Sequence, residues 1–319
     1  MITRVHVRNF GSHKDSKFTL KPLTVFVGPV ASRISNIFRA LDLLRATVRY
    51  APKDYFREPR VEYNRERTTF AGPIGIEVDV AGIHGYVATY GIDISVDNSG
   101  KPLIIHEILQ RSGGKIFDRH QNPDIPNHTE ESLGHHRTAS DPSILYECRP
   151  FGSNLVAFHS QCDSEFATEL ASFLSGIEYY GSEAQMPRVP ARAPFRDRIV
   201  QDLRDLLREV TGEDLGEIEE KGSSVDLVLR SGERLSASND HRRILSLLCI
   251  IRQPGLRTVC IEEPEKGIHP RNLHWLFDKL VSLAYPPRLE TPVQILVSTQ
   301  VPIDFVKGHS GRIRIVEVA

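Results

Sequence analysis

The feature that most narrows the fold lies between residues 23 and 48. An apolar run, LTVFV, ends on Gly28, and beyond it Ile37, Ala40, Leu41, Leu44 and Val48 recur at helical spacing. A buried strand that turns on a glycine into an amphipathic helix is the opening of a β–α unit, and such units build parallel sheets. The last third of the chain repeats the alternation. There the helix RRILSLLCII leads into the strand TVCIE, and the helix RNLHWLFDKLVSLA into the strands VQILVS and RIRIVEV. The fold class expected is α/β: one mixed central sheet flanked by helices and assembled from both ends of the chain.

The middle of the chain has another period. IGIEVDV, HGYVATYGIDISV and PLIIHEIL, between Ile74 and Leu109, read as antiparallel strands of a separate β lobe. Residues 110 to 143, with SGGK, NPDIPNH and SLGHHR, read as a long exposed excursion. Helical spacing returns in EFATELASFL and in FRDRIVQDLRDLLREV. The organisation expected is a single head spanning 1–319. Its core lobe comes from 1–50 and 220–319, with a β-rich and helical insertion at 51–219.

FVGPVASRISNIFRAL, residues 26 to 41, occupies the position of a phosphate-binding loop, after a strand and before a helix. Against the template G-x-x-x-x-G-K-[ST], Gly28 and Ser35 fit, while Arg33 stands at the second glycine and Ile34 at the lysine. Pro29 and Asn36 keep the outline of such a loop. A second anchor is TVCIEEPEKGIHP, residues 258 to 270, in which a strand delivers Glu262 and Glu263 at its C-terminal end. Ligands bind at that end of open α/β sheets. On extended backbone the two side chains point to opposite sides. One can then hold Mg²⁺ or its water while the other faces an attacking water, as phosphate-ester hydrolysis requires.

IEEPEKGIHP resembles the Walker B and D-loop region of ABC-type ATPases of the RecF and SMC class, which includes stand-alone prokaryotic AAA-family heads. The remaining segments line up in order: the ITRVHVRNF strand, LTVFVGP…SN as Walker A, a β lobe, and ILVSTQVP where the family has its switch strand. The resemblance implies a P-loop NTPase fold of ABC type, with ATP and Mg²⁺ as cofactors. Ser35 and Glu262 would hold the metal, Glu263 would be the catalytic base, and Gln300 would stand in place of the switch histidine. Gly28, Pro29, Arg33, Ile34, Ser35 and Asn36 would face the nucleotide. His269 would lie on a D-loop that faces a second head, so a homo- or hetero-oligomer through the head dimer face is implied. No long heptad region separates the two halves, so the coiled-coil arms of SMC proteins are missing.

Two departures weaken the nucleotide site. Ile34 has neither charge nor donor, and a hydrogen bond to a charged partner is worth about 1.5–3 kcal/mol, or about ten- to a hundred-fold in binding. Arg33 puts a side chain where the template wants a bare backbone, although its guanidinium binds phosphate well and could serve as a counter-charge for the Walker B acids. The signature segment lacks its glycine in both registers. One alignment of ASNDHRRILSLL puts Ser238, Asp240 and Arg243 at the serine, glycine and arginine positions; the other uses Ser236 and Ser238. In the first, Asp240 would face the γ-phosphate of a partner's ATP, where like charges repel. The expected function is a pseudo-ATPase or weakly active subunit of a DNA-repair or anti-phage complex. The alternatives are an active Mg²⁺-dependent ATPase acting on DNA, and a non-enzymatic subunit docking on a competent ATPase.

Charge is balanced, with 40 Lys and Arg against 41 Asp and Glu, so no global basic character points to nucleic acid. DNA stays a candidate partner through local arginines: 57, 60, 65 and 67, then 188, 192, 196 and 198. Cys148, Cys162, Cys249 and Cys260 form no metal-like spacing and read as reduced thiols. His120, His128, His135 and His136 lack cysteine partners and read as exposed histidines. The charged N-terminal strand is no secretion signal, and no apolar run is long enough for a membrane span. A cytoplasmic location with no membrane contact is expected.

Overall fold

The computed structural model describes residues 1–28, 31–49, 72–96, 102–112, 114–120, 135–137, 145–147, 165–181, 195–211, 214–221, 224–236, 239–253, 255–286, 292–302 and 312–318. Strands β1 (Ile2–Phe10), β2 (His13–Thr19) and β3 (Leu23–Val27) precede helix α1 (Ala31–Arg49). There follow β4 (Ile74–Ile83), β5 (Tyr86–Val96), β6 (Pro102–Arg111), β7 (Gly114–His120), β8 (His135–Arg137) and β9 (Leu145–Glu147). Then come α2 (Glu165–Ser175), β10 (Ile177–Tyr180), α3 (Phe195–Thr211), β11 (Leu215–Lys221), β12 (Ser224–Leu229) and β13 (Arg234–Ser236). The chain closes with α4 (Asn239–Ile251), β14 (Thr258–Glu262), α5 (Leu273–Ala284), β15 (Gln294–Thr299) and β16 (Arg314–Glu317). Among the described residues, no helix is long and apolar enough to cross a membrane.

The chain divides into two compact units. The first comprises Met1–Lys21, Val30–Tyr179 and Val318–Ala319; the second comprises Pro22–Pro29 and Tyr180–Glu317. A six-stranded sheet in the order β2-β1-β4-β5-β6-β7 forms the first unit's frame, with antiparallel pairing throughout. Strict alternation sorts its two faces. Val5, Val7, Ile76, Val78, Val80, Tyr90 and Ile92 are buried on one side. Helices α1 and α2 pack on each other and on β4. The other side carries an ionic ladder. Arg4 bonds Glu77 at 2.6 Å and Asp79 at 2.5 Å, and Arg8 reaches Asp93 two strands away at 2.7 Å. Gly75 makes that reach possible, because a Cβ there would lie 2.4 Å from Arg8 Nε and 2.7 Å from Asp93 Oδ1.

One sequence expectation changes here. Within the excursion expected over residues 110 to 143, Gly114–His120 instead adds β7 to the sheet edge and His135–Arg137 forms β8. Ser112, at φ 45°, turns the chain back in a tight hairpin, so the Gly-rich stretch marks a turn between strands.

The second unit holds the parallel strands in the order β14-β15-β3-β16. β14, β15 and β3 are near-continuous apolar runs, as parallel strands covered on both faces are. Helices α3, α4 and α5 contribute Leu203, Leu207, Ile244, Leu248, Phe277 and Leu280 to one core with these strands. Beside it β11, β12 and β13 form a three-stranded antiparallel sheet. Asp202 of α3 is buried and pairs with Arg252 at 3.2 Å and with Lys279 of α5 at 2.5 Å, so two cations share one carboxylate.

Removing that carboxylate takes a shared counter-charge from two partly buried cations. Asp202→Ala is expected to destabilise the second unit by about 1.5–3 kcal/mol. Glu77→Ala, at a half-exposed pair in the other unit, is expected to cost less than about 1 kcal/mol. Trp275 is the single tryptophan and belongs to the second unit's core, so its fluorescence in a urea titration reads that unit.

Candidate functional site

Strand register decides what meets at the C-terminal edge of the second unit's sheet. Glu262 lies opposite Ser298, and Thr299 lies opposite Val27. Gly28, Glu263 and Gln300, each one step beyond its strand, therefore come out along one edge. At Glu263 the backbone turns to φ 44°, left-handed for a residue with a Cβ. That conformation costs about 1–2 kcal/mol and persists only where the surroundings hold it. Here the Glu263 N–H donates to the Ser298 carbonyl at 2.9 Å. Arg243 of α4 donates to the carbonyls of Glu262 at 3.3 Å and Glu263 at 3.2 Å. The expectation of extended backbone through both acids thus holds to Glu262 and fails at Glu263.

The expected base and switch residues meet. Gln300 Nε2 donates to Glu263 Oε1. A third acid, without a role in the sequence reading, completes the turn. Glu265 Oε1 accepts from the Thr299 hydroxyl at 2.7 Å and from the Gln300 N–H at 2.9 Å. The Thr299 hydroxyl in turn accepts the Val301 N–H at 3.0 Å. Burial raises the Glu265 pKa above the ordinary glutamate value; its hydrogen bonds oppose this, and the nearby charge of Glu263 adds to it. Burial also lowers the Arg243 pKa, while the charges of Glu265 and Glu263 pull it back. Arg243 is thus a cation beside these acids within their own unit, a place the sequence reading had offered to Arg33.

The resemblance implies Mg²⁺, and the residues at this edge fit it. Glu262 Oε1 and Ser298 Oγ are buried side-chain oxygens without a hydrogen-bond partner. They belong to residues paired across neighbouring strands. A carboxylate and a hydroxyl are the hard oxygen donors that Mg²⁺ prefers, and it commonly keeps waters beside one or two carboxylates. Among the described residues no group of three or more His, Cys, Asp or Glu is placed to hold a metal.

The residues expected to grip phosphate lie mostly in the first unit and do not fit as well. Helix α1 is already formed at Ala31, so residues 31 to 33, loop positions in the template, are helical. Ile34 is 1% exposed. It continues the stripe Ile37, Phe38, Leu41, Leu44 and Val48 by one turn, all of them buried. It offers no donor to an anion. Arg33 is exposed and Ser35 is buried. Asn36 packs against the β1–β2 turn. There Gly11, at φ 55°, comes so close that a Cβ would lie 2.2 Å from Asn36 Nδ2. His13 holds the same corner, with Nε2 donating to the Arg33 carbonyl at 2.8 Å and Nδ1 3.0 Å from Ser16 Oγ. Burial lowers its pKa.

Pro29 and Ser238 fall outside the described residues, and Asp240 stands in the first turn of α4. His269 is exposed. The first arginine cluster, with Arg188 and Arg192 of the second, lies outside the described residues, as do His128, Cys148 and Cys162. Arg196 and Arg198 sit at the start of α3, His120 ends β7, and His135 and His136 lie in β8. Cys249 and Cys260 are buried and form no disulfide.

The family described as "AAA domain, putative AbiEii toxin, Type IV TA system" matches residues 23–302. The chain belongs to this family. Its fold is that of P-loop ATPase heads of the ABC/SMC-like class. The SMC head domain from Thermotoga maritima is similar, with 13% identity over 99% of this chain and 94% of that chain and a TM-score of 0.50. The SmcHead bound to the C-winged helix domain of ScpA gives 10% identity, 96% and 91% coverage and a TM-score of 0.47. The recombination mediator protein RecF-ATPrS gives 11% identity, 100% and 96% coverage and a TM-score of 0.43. No curated protein matches the sequence. Nucleotide and Mg²⁺ are the ligands that ATPases of this family bind in general.

Two outcomes follow from the geometry. Gly11→Ala is expected to cost about 1–3 kcal/mol, part of it recovered in an Asn36→Ala background, as a double-mutant unfolding cycle would show. For Glu265, the folded state holds its proton more tightly than the unfolded chain. Its contribution to stability is therefore present at acid pH and lost as pH rises from the ordinary glutamate range through the raised value. Urea midpoints read by Trp275 should fall across that window in the native protein. In Glu265→Gln this fall should be reduced.

Proposed function

We propose that this chain is an ATPase-family head that keeps its acid-and-switch end and has given up the lysine grip on nucleotide. It would work as a pseudo-ATPase or weakly active subunit in an anti-phage defence or DNA-maintenance complex. One observation carries the reading. Ile34, at the template's lysine position, is buried as part of the apolar stripe of α1. A lysine there would bring the ammonium to β- and γ-phosphates; an isoleucine brings a hydrocarbon to a helix face. The signature segment gives the same direction, since neither alignment supplies its glycine. Two copies of this chain would therefore make a poor nucleotide sandwich, and docking on a competent ATPase through the head face suits the chain better. The defence context is supported by the family description, which names a putative toxin of a toxin–antitoxin system. The DNA context rests on the likeness to the RecF and SMC class alone.

A second reading has its own observation. The Gln300–Glu263 contact and the unpartnered Glu262 oxygen would serve hydrolysis if the exposed Arg33 replaced the lysine. Calorimetry with ATP and Mg²⁺ separates the two. Native protein is expected to bind about ten- to a hundred-fold more weakly than Arg33→Gly, Ile34→Lys. Micromolar binding by the native protein would overturn the proposal. A melting curve checks that the double variant, which puts an ammonium at a buried position, is still folded. If it is not, the native titration decides alone, and a turnover assay then tells binding from hydrolysis.

A further inference from the structure

The turn after β14 has a component that neither the template nor the proposed function uses. Glu265 lies two residues beyond Glu263 and is a longer chain distance from the switch turn, yet one of its oxygens meets that turn twice. We infer that Glu265 is the positioning residue of the switch: its Oε1 pins the Thr299 hydroxyl and the Gln300 N–H, and so sets the Gln300 carboxamide against Glu263. The inference rests on reading Glu263 and Gln300 as the acid-and-switch pair.

The geometry explains why a carboxyl is placed there. Thr299 ends β15, so the ladder no longer supplies an acceptor for the next N–H, that of Gln300. Gln300 is itself exposed, yet its N–H is held by a side chain and not left to water, with Glu265 Oε1 as the acceptor. The Thr299 hydroxyl donates to that same oxygen while accepting from the Val301 N–H, so residues 299 to 301 are tied to a single atom. With the backbone of Gln300 fixed, its side chain spans to Glu263 Oε1. Oε2 of Glu265 is buried without a partner. The contact to the switch is therefore made through one oxygen, an acceptor that an amide carbonyl can supply as well as a carboxyl. A residue one methylene shorter would not reach both donors from the same backbone position.

The test reads Gln300 without any nucleotide. Protein labelled with ¹⁵N-glutamine gives the backbone and side-chain amide signals, and Gln300→Ala identifies which belong to residue 300. Hydrogen exchange at the Gln300 N–H should quicken by about ten-fold or more in Glu265→Ala, the amount that one lost hydrogen bond corresponds to. Its side-chain amide signal should move toward that of a glutamine with no carboxylate partner. Glu265→Asp should do the same, and Glu265→Gln, which keeps the acceptor, should restore native behaviour to within about three-fold. Unchanged Gln300 signals in both Ala and Asp variants would overturn the inference. So would Glu265→Gln behaving like Glu265→Ala while both keep native Trp275 fluorescence. If Glu265→Ala does not fold, the Asp and Gln variants decide by the same criteria. Tight ATP binding in calorimetry would strike the pseudo-ATPase reading and leave this result standing.

Discussion

The pairing of β15 with β14 on one side and β3 on the other is the constraint on which the site depends. Parallel strands register their ends together, and here the register brings three chain segments, far apart in sequence, to one edge. Side chains on a strand have a period of two, so a slip of one residue would turn Ser298 and Thr299 to the opposite faces. The ladder also extends one bond past the end of β14, through the Glu263 N–H to the Ser298 carbonyl, and this bond fastens the strained residue.

Under the proposed reading, Ile34 would exchange a grip on nucleotide for packing that stabilises the fold. A lysine at the mouth of a phosphate loop has its charge answered by phosphate; without ligand it must reach water. An isoleucine at the same helical position extends the buried stripe of α1, and full burial of such a side chain contributes about 1.5–3 kcal/mol. The early start of α1 at Ala31 agrees with this. Residues that a phosphate loop would wrap around an anion are instead part of a helix.

Much of this architecture was legible because it rests on period. The alternation in β4 and β5, the apolar runs of β14 and β15, and the helical stripes of α3 and α5 each have one reading. Glu262, Glu263 and Gln300 were legible from their places at strand ends. What escaped was set by tertiary partners. β11, LGEIEEK, is too polar to announce a strand, and it is held by pairing with β12. Asn36 reads as part of a loop, while its neighbour in space is a glycine that only the β1–β2 turn brings close. Glu265 was passed over because its partners are a hydroxyl and a backbone N–H on another strand, and backbone groups leave no trace in sequence. Arg243 was visible as a signature arginine, yet its bonds to two carbonyls of the acid turn were not.

The charges at that turn bear on where function resides. Glu262, Glu263 and Glu265 lie within four consecutive positions, with Arg243 as a neighbouring cation and one left-handed residue among them. Burying carboxyl groups costs several kcal/mol unless partners answer them, and at this turn two carboxyl oxygens, Glu262 Oε1 and Glu265 Oε2, have none. Packing alone would be served better by apolar side chains of similar size. The loop end shows the opposite balance, with Ile34 and the stripe of α1 gaining burial at the expense of a charge. Strain and unanswered charge thus gather at the acid-and-switch turn, while the phosphate-loop end has settled into ordinary helix packing. The proposed reading draws on that asymmetry: a turn whose carboxyl oxygens lack partners is where an ion or a docking group would find a use for them, and the helix face at Ile34 is not.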